Sequence, residues 1–202
     1  SISPRVIPML EPLNTLLAAP NPHFVNRAEA GGDIIPLSHI TFPPASAIAV
    51  AALEDVLQGS DTVLPALYRE SDGLRLFANR ADSDECFFLL PLAHMAEEKA
   101  ALYEWLLTDD ENCEDGYAVY GVPTWWDSAV VFAGFGQAPE RFYLATAGAH
   151  RGKVFYYNHE ECSMRIADSV ADFLDLLCTD PVTFMQRFYD VAYWDFAAYH
   201  PA

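Results

Sequence analysis

The sequence predicts a single α+β domain, with a mixed or antiparallel sheet flanked by helices and an aromatic-rich C-terminal helix. Three observations carry that expectation. Residues 129–159 are β-branched and aromatic runs broken by turn residues: AVVFA, then GFG, RFYLATA, a Gly-bounded turn over 148–152, and KVFYYNH. Runs of this kind read as a strand meander. Directly after them, Val170, Phe173, Leu174 and Leu177 recur at i, i+3, i+4 and i+7, the buried stripe of a helix. Ser169 stands where it can cap that helix, and Asp172 favours its first turn electrostatically. Finally, the periodicity changes from helical to alternating at both borders of residues 74–167, which places the sheet between helical flanks.

The elements follow in order. Residues 1–40 carry Pro4, Pro8, Pro12, Pro20, Pro22 and Pro36. They predict one short helix over 11–18 and otherwise irregular chain, an extension packed on the main domain of residues 41–180. A helix over 46–58 is capped by Ser46 and stopped by Gly59. It is apolar on nearly every face apart from Glu54 and Asp55, so it is expected to be well buried. Pro65 suits the first turn of a second short helix that ends by Gly73. Residues 74–78 and 86–92 read as strands around a polar loop, 96–107 as a helix with Met95, Leu102, Trp105 and Leu106 inward, and 117–122 as a strand. In the final segment, 181–202, Asp180 and Pro181 open a helix predicted over 182–198. Its stripe of Met185, Phe188, Ala192, Phe196 and Tyr199 must pack against something.

Composition narrows the function classes. The chain has 202 residues, enough for a core without staples, and its 52% hydrophobic content fits a folded protein. The longest apolar run, 47–53, is too short to span a bilayer. No basic-then-apolar leader pattern opens the sequence, and the expectation is a cytoplasmic protein. Cys86, Cys113, Cys162 and Cys178 are widely spaced without a zinc rhythm, in keeping with a reducing compartment. Charge is the second strong signal. Eleven basic residues against 29 acidic ones give −18, and residues 82–115 hold eleven acids against Lys99 alone. Such a field disfavours nucleic acid and anionic membranes and attracts a basic protein.

Catalytic and metal motifs fail one by one. His159-Glu160 has Ser163 where the second His of a zincin helix belongs. Gly134-Phe-Gly136 is followed by Pro139 where a dinucleotide fingerprint needs its third Gly. No nucleophile elbow or Walker loop occurs. Aligning Gly116 with the EF-hand glycine puts Cys113 at a ligand position. The expectation is a non-enzyme without cofactor or metal. Trp125-Trp126-Asp127 is read two ways. Strand alternation would send one Trp into the sheet core and the other under a helix, or would leave one exposed as a partner anchor.

Four segments in order resemble the SUKH superfamily, the Smi/Knr-type proteins. They are the helix over 44–57, the Leu64-Pro-Ala-Leu-Tyr68 stretch with Asp72-Gly73, the Gly152-Lys-Val-Phe-Tyr-Tyr-Asn-His-Glu160 strand block, and the Ser169-Val-Ala-Asp-Phe-Leu174 helix. Residues 1–40 and those after 180 lie outside the resemblance. Many members of this family are bacterial immunity proteins, so the resemblance implies a protein-binding module that neutralises a toxin, often a nuclease. Charge independently favours a basic partner. The candidate partner-binding residues are Asp82, Asp84, Glu85, Asp109, Asp110, Glu111, Glu114, Asp115, Trp125, Trp126 and Asp127, in a monomer or homodimer. The alternatives are a regulatory or scaffolding module without a toxin, and a small-molecule or metal-binding domain that uses the cleft between sheet and helices.

Overall fold

Side chains of three neighbouring strands, β7 (Val130–Phe135), β8 (Arg141–Leu144) and β9 (Val154–Asn158), are buried on both faces, and this organises the whole molecule. The structure is a computed structural model that describes residues 10–27, 32–108, 113–114, 118–136, 138–158, 162–188 and 196–201. Among these residues it holds six α-helices and one eleven-stranded sheet, an α+β architecture as the periodicity predicts. The remaining strands are β1 (His23–Asn26), β2 (Ile34–Thr41), β3 (Leu74–Asn79), β4 (Phe87–Leu89), β5 (Cys113–Glu114), β6 (Ala118–Tyr120), β10 (Cys162–Ala167) and β11 (Phe196–His200). The helices are α1 (Glu11–Leu17), α2 (Ala47–Leu57), α3 (Val63–Tyr68), α4 (Met95–Leu106), α5 (Val170–Thr179) and α6 (Pro181–Phe188). The strand order is β11-β1-β2-β3-β4-β7-β8-β9-β10-β6-β5, and neighbouring strands run antiparallel.

Alternation along the central strands sorts side chains into two cores. Phe142, Leu144, Val154 and Tyr156 face the larger core with α1, α3, α5 and α6. Tyr143, Ala145, Phe155 and Tyr157 face a smaller core closed by Leu102 and Leu106 of α4 and by Trp125 and Trp126. A bulge between Val131 and Ala133 switches the parity of β7. Val131 faces the smaller core, whereas Phe132, Ala133 and Phe135 all face the larger one. One extra residue thereby adds Phe135 to an aromatic cluster around Phe142. Phe142 lies 5.1 Å from Phe173, 5.8 Å from Phe184 and 4.7 Å from Tyr156, ring centre to ring centre. Burying each of these rings contributes on the order of 1.5–3 kcal/mol relative to leaving it exposed.

Both predicted caps form. Ser46 accepts from Ala49 N–H at 3.2 Å, and Ser169 accepts from Asp172 N–H at 3.0 Å. α2 ends on Gln58 and Gly59, both with positive φ. Four expectations are corrected, the first being that Trp105 does not face inward with Leu102 and Leu106 but is 42% exposed. Residues 23–41 are not irregular, because β1 and β2 extend the sheet and Pro36 sits within β2. The sheet therefore reaches well beyond 74–167. The helix predicted over 182–198 is described only as α6 up to Phe188, residues 189–195 lie outside the described residues, and residues 196–200 form a strand, β11, instead of helix. β11 pairs with β1 and stacks Phe196 on Phe24 at 3.9 Å, so strand pairing there overrides the helical spacing of the aromatics. Finally, α2 is not well buried. Only Val50, Leu53 and Leu57 face the core, while Ile48 is 85% and Val56 47% exposed.

His39 on β2 supports an unusual backbone. Its Nδ1 accepts from Phe77 N–H at 3.0 Å, and Phe77, fully buried, holds φ +54°. A bulky side chain pays strain in that left-handed region, so the bond steadies a costly conformation. Burial lowers the His39 pKa from 6.5 to about 4. The unfolded chain thus takes up a proton that the folded protein refuses, and stability falls as pH drops through that window. His39→Asn keeps an acceptor near the Nδ1 position but cannot titrate. Urea unfolding of both proteins should show a stability difference that moves in favour of the variant between pH 6.5 and about 4. A difference independent of pH there would contradict this account.

Candidate functional site

The sequence-predicted residues occupy separate places. Asp82, Asp84 and Glu85 lie in the β3–β4 loop. They are engaged locally: Asp82 accepts from Asp84 N–H at 3.1 Å, Asp84 pairs with Arg75 at 3.3 Å, and Glu85 accepts from Asn79 Nδ2 at 2.9 Å. Gly136, just past β7, sits so close under the Asp84 carbonyl that any Cβ would overlap it. Its N–H donates to Cys86 O at 2.8 Å, which fixes this loop to the end of β7. Trp125, Trp126 and Asp127 stand at the other end of β7. Six residues of strand, on the order of 20 Å, separate the two groups. Glu114 belongs to β5 at the sheet edge, several strands from β7. Asp109, Asp110, Glu111 and Asp115, together with His159 and Glu160, lie outside the described residues. The described candidate acids thus lie in three places: the β3–β4 loop, the β5 edge, and the turn before β7.

The tryptophans are corrected as anchors. Residues 126–128 form a 3₁₀ turn, not a strand, so neighbouring side chains need not alternate faces. Trp125 and Trp126 are 7% and 5% exposed, and both pack on Tyr143, with ring centres at 5.7 and 5.4 Å. Neither offers the exposed surface that an anchor needs. Asp127 is exposed. Its carbonyl accepts from Lys99 Nζ at 2.8 Å, and that amine also lies 5.5 Å from the Trp126 ring centre. Burial there lowers the Lys99 pKa, which the nearby Asp127 carboxylate partly offsets.

Of the residues singled out from sequence, Asp127 lines a concave feature. A cleft of about 740 Å³ opens between α2 and α4. Ala49, Ala52 and Val56 form one wall, Met95, Ala96 and Lys99 the other, and Val130 with Val131 the floor. Its charged lining is Asp72, Lys99 and Asp127. Asp72 also accepts from Leu92 N–H at 2.9 Å, which ties the floor of the cleft to the start of α4. The sequence did hold a signal for it: α2 carries more apolar residues than a single buried stripe can use. A mostly apolar, open cleft with few polar groups suits binding. Among the described residues no group of three or more His, Cys, Asp and Glu is placed to hold a metal ion. No described helix is long and apolar enough to cross a membrane. Cys86 and Cys162 are buried, and burial pushes the Cys86 thiol up to about 11.

The placement of Trp126 has a measurable consequence. Trp126→Ala should destabilise the protein by about 3–5 kcal/mol in chemical denaturation, as loss of a large core ring does. An effect below about 0.5 kcal/mol would mark an exposed surface residue instead.

Comparison with family models gives no match, and comparison with curated proteins gives none either.

Proposed function

We propose that this protein is a protein-binding module that neutralises a basic, nuclease-type toxin by stoichiometric binding in the cytoplasm, without catalysis of its own. The observation that carries this reading is the net charge of −18. The field of the whole molecule would supply the attraction. A nuclease needs a basic cleft for phosphate, and an acidic protein is the complement of that cleft. The SUKH resemblance of residues 44–57, 64–73, 152–160 and 169–174 supports the same assignment from sequence.

Association driven by such a field is sensitive to salt. The on-rate for a basic nuclease toxin encoded beside this gene should fall as ionic strength rises past the point where the Debye length is about 8 Å. Reversing Asp82, Asp109, Asp110 and Glu111 to Lys should slow association by roughly tenfold or more, within the range over which steering acts. Thermal stability should barely move, because exposed charge pairs contribute under about 1 kcal/mol each. Stopped-flow binding and growth protection on co-expression measure both effects. Unprotected cells, with no complex formed, would remove the toxin assignment. Full protection with a salt-independent on-rate would remove the electrostatic part.

A further inference from the structure

We propose that the groove between α2 and α4 receives an amphipathic helix of a basic partner, its apolar face seated in the groove and Lys or Arg side chains along the rim. The proposal rests on the protein-binding reading above and names the surface that does the binding. α2 packs on the larger core and α4 on the smaller, so the groove crosses the start of β7, where Val130 and Val131 line it. An apolar groove between two helices is a place into which a third helix lays its apolar face. Ile48, Ala52 and Val56 stand at i, i+4 and i+8, one apolar ridge along the outer side of α2, and all three are exposed. This ridge extends beyond the cleft, since Ile48 is 85% exposed and does not line it. A small molecule confined to the cleft would leave Ile48 in water, whereas a helix laid along the ridge covers both. Ala49, Ala52 and Ala96 are small enough to let a backbone approach closely.

Charge selects the kind of partner. Asp72 and Asp127 line the groove, and Asp55 follows Ala52 by three residues on the exposed side of α2. Lys99, the one cation among the described lining residues, is turned to the Asp127 carbonyl and the Trp126 ring. A second copy of this chain would bring −18 against −18, which opposes self-association through an acidic-rimmed groove. A basic amphipathic helix satisfies the apolar floor and the acidic rim together.

The test uses a displayed library of amphipathic helical peptides of varied charge, selected on the full-length protein. Enriched peptides should carry apolar residues at i, i+3 or i+4 and i+7 with a net positive charge. They should bind Ala52→Glu and Ile48→Glu at least about tenfold more weakly than wild type, the loss expected when an anchor site is blocked. Ala51→Glu adds the same charge to the same helix off the groove and should change binding little. All three positions are exposed, and unchanged melting of each variant keeps the comparison sound. Enriched peptides that are acidic, or that bind all variants alike, would overturn the proposal. So would a dimer in sedimentation that Ala52→Glu dissociates, since the occupant would then be a second copy. A basic toxin neutralised equally by wild type and Ala52→Glu would overturn the groove but leave the protein-binding function standing. A toxin that never binds would remove that function, while the peptide selection would still decide the groove.

Discussion

Covering both faces of β7, β8 and β9 is the constraint on which the rest of the structure depends. Antiparallel sheets often leave one face to water, and here the central strands leave neither. Phe142, Leu144 and Tyr156 require helices on one side, and Tyr143, Phe155 and Tyr157 require cover on the other. The larger side is met by α5 and α6, which follow the meander directly in sequence and dock Phe173, Phe184 and Phe188 on Phe142. Among the described residues the smaller side is met by one helix, α4, and by the turn that carries Trp125 and Trp126. The unequal cover has a geometric result. α4 packs on the smaller core and α2 on the larger, and α2 gives only one stripe to its core. The groove is the space left between them.

The tryptophan turn shows how the same constraint decides local structure. A strand through residues 125–127 would have sent the two indoles to opposite faces. A 3₁₀ turn lets both sit against Tyr143, and the Lys99 amine then rests between the Trp126 ring and the Asp127 carbonyl. Trp125 Nε1 is buried without a hydrogen-bond partner among the described residues, a cost accepted in exchange for filling the smaller core. Asp127 is left exposed at the groove, where packing and charge meet.

The sequence made the centre of the fold legible and its edges obscure. The 129–158 meander was readable because alternation, turn residues and the following helix all agree there. The Ser46 and Ser169 caps were readable because capping is local chemistry. β1, β2 and β11 were not, because β1 is short, β2 is interrupted by Pro36, and the pairing of His23 with His200 joins distant parts of the chain. Residues 184–199 carry aromatics at helical spacing, yet Phe196 is held by Phe24 across a strand pair. Of the candidate binding residues, the two tryptophans were drawn by residue type and turn out to fill a core. The groove was missed for the opposite reason. An all-apolar α2 reads as buried, and only three-dimensional placement shows that nothing among the described residues covers its ridge.

Native-state hydrogen exchange, measured residue by residue, tests this account of unequal cover most directly. Amides of β7, β8 and β9 should exchange only through global unfolding, since both faces of those strands are packed. Amides of α2 should open at a clearly lower free energy, because Val50, Leu53 and Leu57 alone tie that helix to the core. If α2 exchanged as slowly as β8, its outer ridge would have to be covered in the free protein. The groove would then be closed, and the two-core account of what holds α2 and α4 apart would be contradicted.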